Sequence, residues 1–246
     1  MRILAMDTSN STCCAGLYDG DKELSYKLSF EKRTHSETFM PLVHEVMQEN
    51  GLKHSDLDAY AVTVGPGSFT GIRIGLSFVK GMAAASDVKC IPVSSVEALA
   101  RSVDPVDTPK DKTIFISCFE ARNNRVFAGV FTADNYMRLI PDNAYNADDL
   151  IAILRKMTII GDMNFIVIGD GSNTVNKAIN NSDFCTEVLS VNYAPGAVIL
   201  PKGIYGAAKK LIDNLYEPVS ALNLEPMYCA KAQAERLRIK YNPAND

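Results

Sequence analysis

The sequence predicts an α/β chain of two similar lobes, each a mixed sheet with a three-strand meander and flanking helices, and three observations carry that expectation. The first thirty residues read as short strands joined by turns, after which the apolar period becomes helical. A polar, proline-bearing stretch, residues 104–112, interrupts the middle of the chain. The pattern then restarts without a gap, 113 residues on (120 − 7 and 128 − 15). Asp7 falls on Glu120, and Ala15-Gly16-Leu17-Tyr18 falls on Ala128-Gly129-Val130-Phe131. The expected organisation is an N-terminal lobe, 1–103, a linker, 104–112, and a C-terminal lobe, 113–246, facing each other across a cleft with an acidic strand-to-strand turn on each side.

In order, Arg2–Met6 is an apolar run ending at Asp7, and Cys13–Tyr18 resumes after a polar turn. Asp19-Gly20-Asp21 turns the chain into Glu23–Phe30, completing a three-strand meander. Phe39, Leu42, Val43, Val46 and Met47 recur at helical spacing within 34–50. Thr34 and Glu37 fit a capping box and Gly51 fits a stop, while Pro41 is expected within about the first turn. Tyr60–Val64 is a strand, Ile72–Ala85 a helix, Val88–Val93 a strand, and Ser94 or Ser95 caps a helix through Arg101. After the linker come strands Thr113–Phe119 and Val126–Phe131, a helix Ala147–Lys156, a strand Phe165–Ile168, a Gly169-Asp170-Gly171 turn, and helices Thr174–Ile179 and Ile204–Leu215.

Composition narrows the function. The 246 residues are 47% hydrophobic and 22% charged, an ordinary globular balance. No apolar run reaches the roughly 18–20 residues of a membrane span, and Asp7 interrupts the N-terminal stretch before a signal-peptide core forms, so a cytoplasmic protein is expected. Six cysteines without a C-x-x-C pair read as buried thiols. A net charge of −4 gives no broad footprint for nucleic acid, and the basic tail, Lys231, Arg236, Arg238 and Lys240 against Glu235, reads first as a solvated helical end, with RNA contact inside a larger assembly as the alternative.

The glycines of Gly65-Pro66-Gly67-Ser68-Phe69-Thr70-Gly71 lie between a strand and a helix, where phosphate loops occur. No Gly-Lys-Ser/Thr follows, Thr70 stands at the third glycine of a dinucleotide fingerprint, and Pro66 removes an amide. The alternative is a tight turn letting the next helix approach the sheet. Ser68 lacks the flanking glycines of a nucleophile elbow and is read as bonding its own loop or the helix start. His35, His44 and His54, nine and ten residues apart, form no H-x-x-x-H face, so no metal site and no catalytic residue is expected. Phe39, Met40, Leu42, Val43, Val46 and Met47 span roughly 160° of helix, wider than a core stripe needs. Ile72, Leu76 and Val79 form one stripe of the next helix, with Ile74 and Phe78 on another flank. Core on two sides and docking of a partner's helices both remain open.

Two resemblances sharpen this. Asp7-Thr8-Ser9 resembles the first phosphate loop of the actin, Hsp70 and sugar-kinase superfamily, the ASKHA fold, where the acid helps hold hydrated magnesium. The second acidic turn, Glu120-Ala121-Arg122-Asn123-Asn124-Arg125, has no glycine, which suggests the fold without strong ATP hydrolysis. The segment from Gly65 to Gly75, with Ile3–Ser9, His35-Ser36-Glu37, Glu120-Ala121-Arg122, Glu225-Pro226-Met227-Tyr228 and Gln233-Ala234-Glu235, resembles the signature pieces of the TsaB (YeaZ) family in order along the whole chain. The resemblance implies an actin-like two-lobed fold and a non-catalytic scaffold in the machinery that makes N6-threonylcarbamoyladenosine at position 37 of tRNA. It implies pairing with the catalytic paralogue TsaD, addition of the ATPase TsaE, a homodimer when the chain is alone, and tRNA contact only within the complex. TsaC supplies the threonylcarbamoyl-adenylate. No cofactor is implied for the chain itself, beyond weak ATP or ADP with magnesium at the complex through Asp7, Thr8 and Ser9. The family contact uses the first two helices, here about Ser36–Asn50 and Thr70–Ala85, which makes Phe39, Met40, Leu42, Val43, Val46, Met47, Ile72, Arg73, Leu76 and Val79 the expected interface. Arg125 and Tyr228-Cys229-Ala230 depart from the family pattern. The rivals are a stand-alone actin-fold phosphotransferase and a glycoprotease-type metallopeptidase.

Overall fold

The computed structural model describes residues 1–30, 35–104, 109–157 and 160–229. Strands β1 (Arg2–Asp7), β2 (Cys13–Asp19) and β3 (Lys22–Ser29) form the expected meander, followed by α1 (His35–Glu49), β4 (Ala59–Gly65), α2 (Phe69–Ser86), β5 (Lys89–Ser94) and α3 (Ser95–Ser102). The second half repeats the order with β6 (Thr113–Glu120), β7 (Arg125–Thr132), β8 (Arg138–Asn146), α4 (Ala147–Arg155), β9 (Asn164–Ile168), α5 (Ser172–Asn180), α6 (Phe184–Glu187), β10 (Ser190–Ala194) and α7 (Pro201–Asp213). The sheets read β3-β2-β1-β4-β5 and β8-β7-β6-β9-β10, the same topology twice, and the architecture is actin-like. In each, an antiparallel meander is joined through its first strand to two parallel strands.

The gapless offset matches the ends of the first strands, but the pairing differs by one residue. Met6 pairs with Ala15, whereas Phe119 pairs with Phe127, so the second hairpin is one residue tighter. Arg122, Asn123 and Asn124, all at positive φ, make that turn. Strand β8 completes the second three-strand meander, which the sequence predicts without bounds for that strand, and β10 was not expected. Both are sheet edges, and Pro141, Asp142 and Asn143 in β8 are poor strand formers that an edge with bulges tolerates.

Along β1 the side chains alternate between two cores. Ile3 and Ala5 face the layer between the sheets, and Leu4 and Met6 face α1 and α2. The middle layer is made by exchanged helices: α3 follows β5 of the first sheet but packs on β6 and β7, while α7 follows β10 of the second sheet but packs on β1, β2, β4 and β5. They touch closely, since a Cβ on Gly203 would lie 2.1 Å from the Ala98 carbonyl. Glu97 of α3 clasps Arg101, Arg138 of β8 and Lys210 of α7. After α7 the chain stays with the first lobe. Val219 bridges to Cys90, Leu224 is buried beside α2, and the Met227 amide donates to the Val64 carbonyl at 2.7 Å. Helix α7 and Val219, Leu224 and Met227 therefore contact the first lobe, although they follow the second sheet in sequence. Pro41 lies in the second turn of α1, at the solvent face, later than expected. Thr34 of the capping box, residues 105–108 of the linker and the basic tail from residue 230 lie outside the described residues.

Candidate functional site: the sealed acidic turn and the outer groove

Two places gather the residues singled out by the sequence. The first is the turn after β1. Asp7, Thr8 and Ser9 are all buried. One Asp7 carboxylate oxygen, Oδ1, accepts from the Ser9 amide at 2.9 Å, the Ser9 hydroxyl at 2.6 Å and the Thr63 hydroxyl at 2.5 Å. The other, Oδ2, is buried with no partner among the described residues. Burial pushes the Asp7 carboxyl above its ordinary range, and the Ser9 and Thr63 bonds only partly counter that.

The signature loop lies over this turn. Ser68 caps α2 by accepting from the Gly71 amide, and its own amide donates to the Ser9 carbonyl at 2.7 Å. Thr8 donates to the Gly71 carbonyl at 2.8 Å. A Cβ on Gly67 would stand 2.4 Å from the Ser9 carbonyl, one on Gly71 2.1 Å from the Thr8 carbonyl, and one on Gly75 2.2 Å from the Thr8 hydroxyl. These glycines serve close approach of α2 to the strand end, so Gly65, Pro66, Gly67, Ser68, Phe69, Thr70 and Gly71 form a clamp on Asp7-Thr8-Ser9. Gly65, at φ +115°, is itself pinned, because a Cβ there would meet the Met227 carbonyl at 2.6 Å. The Ser9 amide is taken by Asp7, and the start of α2 packs directly on Thr8 and Ser9. In the second lobe Glu120 is exposed, accepts from the Thr174 hydroxyl at 2.6 Å, and its amide donates to Asp170 at 3.0 Å.

The histidines do not converge. His35 contacts the Asn10 carbonyl through Nε2, His54 contacts the Tyr60 hydroxyl through Nδ1, and His44 is exposed. Among the described residues no three His, Cys, Asp or Glu side chains are placed to hold a metal ion, and no helix is long and apolar enough to cross a membrane.

The second place is the outer face of α1 and α2. Seven of the ten residues expected at an interface lie inside it. Phe39, Val43, Val46, Met47, Ile72, Leu76 and Val79 are buried against β1, β2 and β4 and form the first lobe's own core. The wide apolar arc of α1 is filled by the sheet on one side and α2 on the other. Met40 and Leu42 are half-buried, and Arg73 is exposed. The surface itself keeps Met40 and Arg73 of the expected ten and adds residues that were not among them. Ser36, Phe69, Thr70, Arg73, Ile74, Ser77 and Phe78 line a shallow groove of about 570 Å³. It continues, through Ser77 and Phe78, into another of about 590 Å³ that adds Met40, Lys53, His54, Ser55, Gly81, Met82, Ala85 and Ser86. Phe78 forms its floor, 5.8 Å from the Phe39 ring. The signal was the second flank of α2, Ile74 and Phe78, together with exposed Gly81, whose absent Cβ would meet nothing within 4 Å.

Comparisons with known proteins agree with this architecture. The family model "TsaD: tRNA N6-adenosine threonylcarbamoyltransferase" matches residues 29–237. The tRNA threonylcarbamoyladenosine biosynthesis protein TsaB of Haemophilus influenzae is 25% identical over 238 residues, 93% of each chain. Its counterpart in Bacillus subtilis is 32% identical over 161 residues, 63% of this chain and 67% of its own. The structure of YeaZ from Pseudomonas aeruginosa superposes with a TM-score of 0.72 at 20% identity, covering 92% of this chain and 99% of that one, a likeness of fold.

Proposed function

The chain belongs to the TsaB (YeaZ) family of tRNA threonylcarbamoyladenosine biosynthesis proteins, within reach of the wider TsaD family model, and from that premise we propose that it is a non-catalytic scaffold that docks a TsaD-like catalytic paralogue. The observation that carries this reading is the continuous apolar groove on the outer face of α1 and α2, where Gly81 keeps the helix surface low without serving the chain's own packing. A helix-interior glycine costs about 1 kcal/mol relative to alanine, and a partner that must approach closely is a reason to keep one. The clamp on Asp7-Thr8-Ser9 supports a role without nucleotide turnover by the chain alone, and any weak ATP or ADP binding belongs to the assembled complex with the TsaE-like ATPase. The separation of the three histidines supports leaving the metal chemistry, and with it catalysis on tRNA, to the paralogue.

The test is size-exclusion chromatography of the chain alone and mixed with the TsaD-like paralogue from the same organism. A homodimer that converts to a mixed complex is expected, and Gly81→Arg should abolish the mixed complex without lowering the melting temperature. A chain that ignores the paralogue overturns the scaffold reading, and magnesium-dependent nucleotide binding by the isolated chain would favour a stand-alone phosphotransferase.

A further inference from the structure

The outer groove carries charge of one sign. Among the described residues no aspartate or glutamate lines either part of it, although the whole chain has a net charge of −4. At the end nearest the N-terminus of α2 stands Arg73, exposed but held. Its guanidinium carbon lies 3.8 Å over the Phe69 ring and 5.7 Å from the Tyr228 ring. Its Nε donates to the Tyr228 hydroxyl at 2.8 Å, and the two rings stack at 4.8 Å. Tyr228 is delivered by the C-terminal segment, fixed one residue earlier by the Met227 bond to Val64. Among the described residues no carboxylate pairs with Arg73, which leaves both of its terminal amino groups without a counter-charge. A guanidinium already stacked and bonded through Nε has little rotamer freedom left to lose, and its remaining donors form the fork that a carboxylate fills with two bonds.

Resting on the docking role proposed above, we infer that the groove selects a helix of a second protein that brings an aspartate or glutamate to Arg73, and that this contact discriminates against another copy of the same chain. Self-association about a two-fold axis places the same surface on itself. Among its described lining residues the groove then offers Arg73 apolar side chains, hydroxyls, Lys53 and His54, and desolvates a cation without a partner. The acids of α1 do not supply one from within the groove: Glu45 and Glu49 face Lys27, and Glu37 lies outside the lining. The homodimer is thus an apolar pairing, and the mixed complex is an apolar pairing with an added buried ion pair. The paralogue wins by the charge term.

The two assemblies should therefore respond oppositely to salt. Titration calorimetry with the TsaD-like paralogue and sedimentation equilibrium of the chain alone would be run from about 50 to about 500 mM salt. The mixed complex is expected to weaken about tenfold over that range, while the homodimer holds or tightens. Arg73→Gln should weaken the mixed complex about tenfold at low salt, flatten its salt dependence and leave the homodimer equal or tighter. Arg73→Lys should recover part of the loss, and Tyr228→Phe, which keeps the charge but frees the fork, should cost about threefold. An Arg73→Gln protein that binds the paralogue within twofold of the parent, with an unchanged salt slope, overturns the inference. If Gly81→Arg still abolishes that complex, the failure belongs to the charge contact alone; if Gly81→Arg binds normally, the docking role falls with it.

Discussion

The two lobes use one topology to opposite ends, and the ends of β1 and β6 show how. Both strands finish on an acid, and in both a glycine turn after the parallel strand β4 or β9 passes over the first strand's end. In the second lobe that contact stops short of the acid: a Cβ on Gly169 would meet the Cys118 carbonyl at 2.2 Å, and one on Gly171 would meet Phe119 at 3.0 Å. Glu120 is left at the surface. In the first lobe the contact falls beyond the acid, on Thr8 and Ser9, and Asp7 is sealed beneath it. The helices differ in the same sense. The nine residues each of α4 and α5 only cover their sheet, whereas the 15 and 18 of α1 and α2 cover theirs and leave a groove outside. A few residues of advance along one strand separate a sealed acidic turn from an open one, and longer helices leave a groove outside the sheet.

The largest expected effect separates core from surface on the first lobe's helices. Val43→Asp should unfold the lobe, because it places an unpaired carboxylate against β1 and β2 at a cost of more than about 4 kcal/mol. Ser77→Arg, on the groove, should leave the melting temperature unchanged and remove the paralogue from co-elution. A folded Val43→Asp protein would show that α1 is less committed to the core than its burial indicates. Next comes the clamp. Gly71→Val should cost about 3 kcal/mol in urea denaturation, since its Cβ overlaps the Thr8 carbonyl. Gly81→Ala in the same helix, where the Cβ meets nothing, should gain about 0.5–1 kcal/mol. Equal effects from the two would erase the distinction between clamp and docking glycines.

Asp7 gives a smaller effect with a definite sign. Burial raises its folded pKa above the ordinary 3.8, so the folded state holds the proton more tightly than the unfolded chain. Stability from this group is complete below 3.8 and is lost as pH rises through the folded pKa. Asp7→Asn, which keeps an acceptor for Ser9 and Thr63, should therefore gain on the parent as pH climbs from acid toward neutral, in paired denaturation curves. A difference that shrinks with rising pH would mean that Asp7 is stabilised as a carboxylate, as a site for magnesium would require.

Most of the fold was legible because strand and helix periods, turn residues and the restart at Thr113 are local signals. What sequence reading missed was decided by tertiary packing. An apolar stripe states that a helix face is covered, and not whether sheet, neighbouring helix or partner covers it; Phe39, Val43 and Val46 look the same in either case until β1 and β2 are placed beneath them. The exchange of α3 and α7 between the sheets is equally silent, since both helices are amphipathic wherever they pack. Edge strands β8 and β10 carried too little β-forming sequence to be bounded. The glycines of 65–75 were legible as a close-approach motif, but the object approached, Thr8 and Ser9, lies some sixty residues away in sequence.

The smallest effect belongs to the second lobe's acid and bears most directly on the comparison. Glu120 is exposed, and its bond to the Thr174 hydroxyl and the bond of its amide to Asp170 tie β6 to the start of α5. An exposed hydrogen bond of this kind contributes less than about 1 kcal/mol. Glu120→Gln retains an acceptor for Thr174, so thermal denaturation should shift by less than about 2 °C, and the mixed complex should form as before. Both lobes end their first strand on a carboxyl, but only the first lobe seals it beneath a clamp. If Glu120→Gln instead abolishes tRNA modification by the intact complex, the open turn faces a partner or substrate, and the second lobe, rather than the first, retains the chemistry of the cleft.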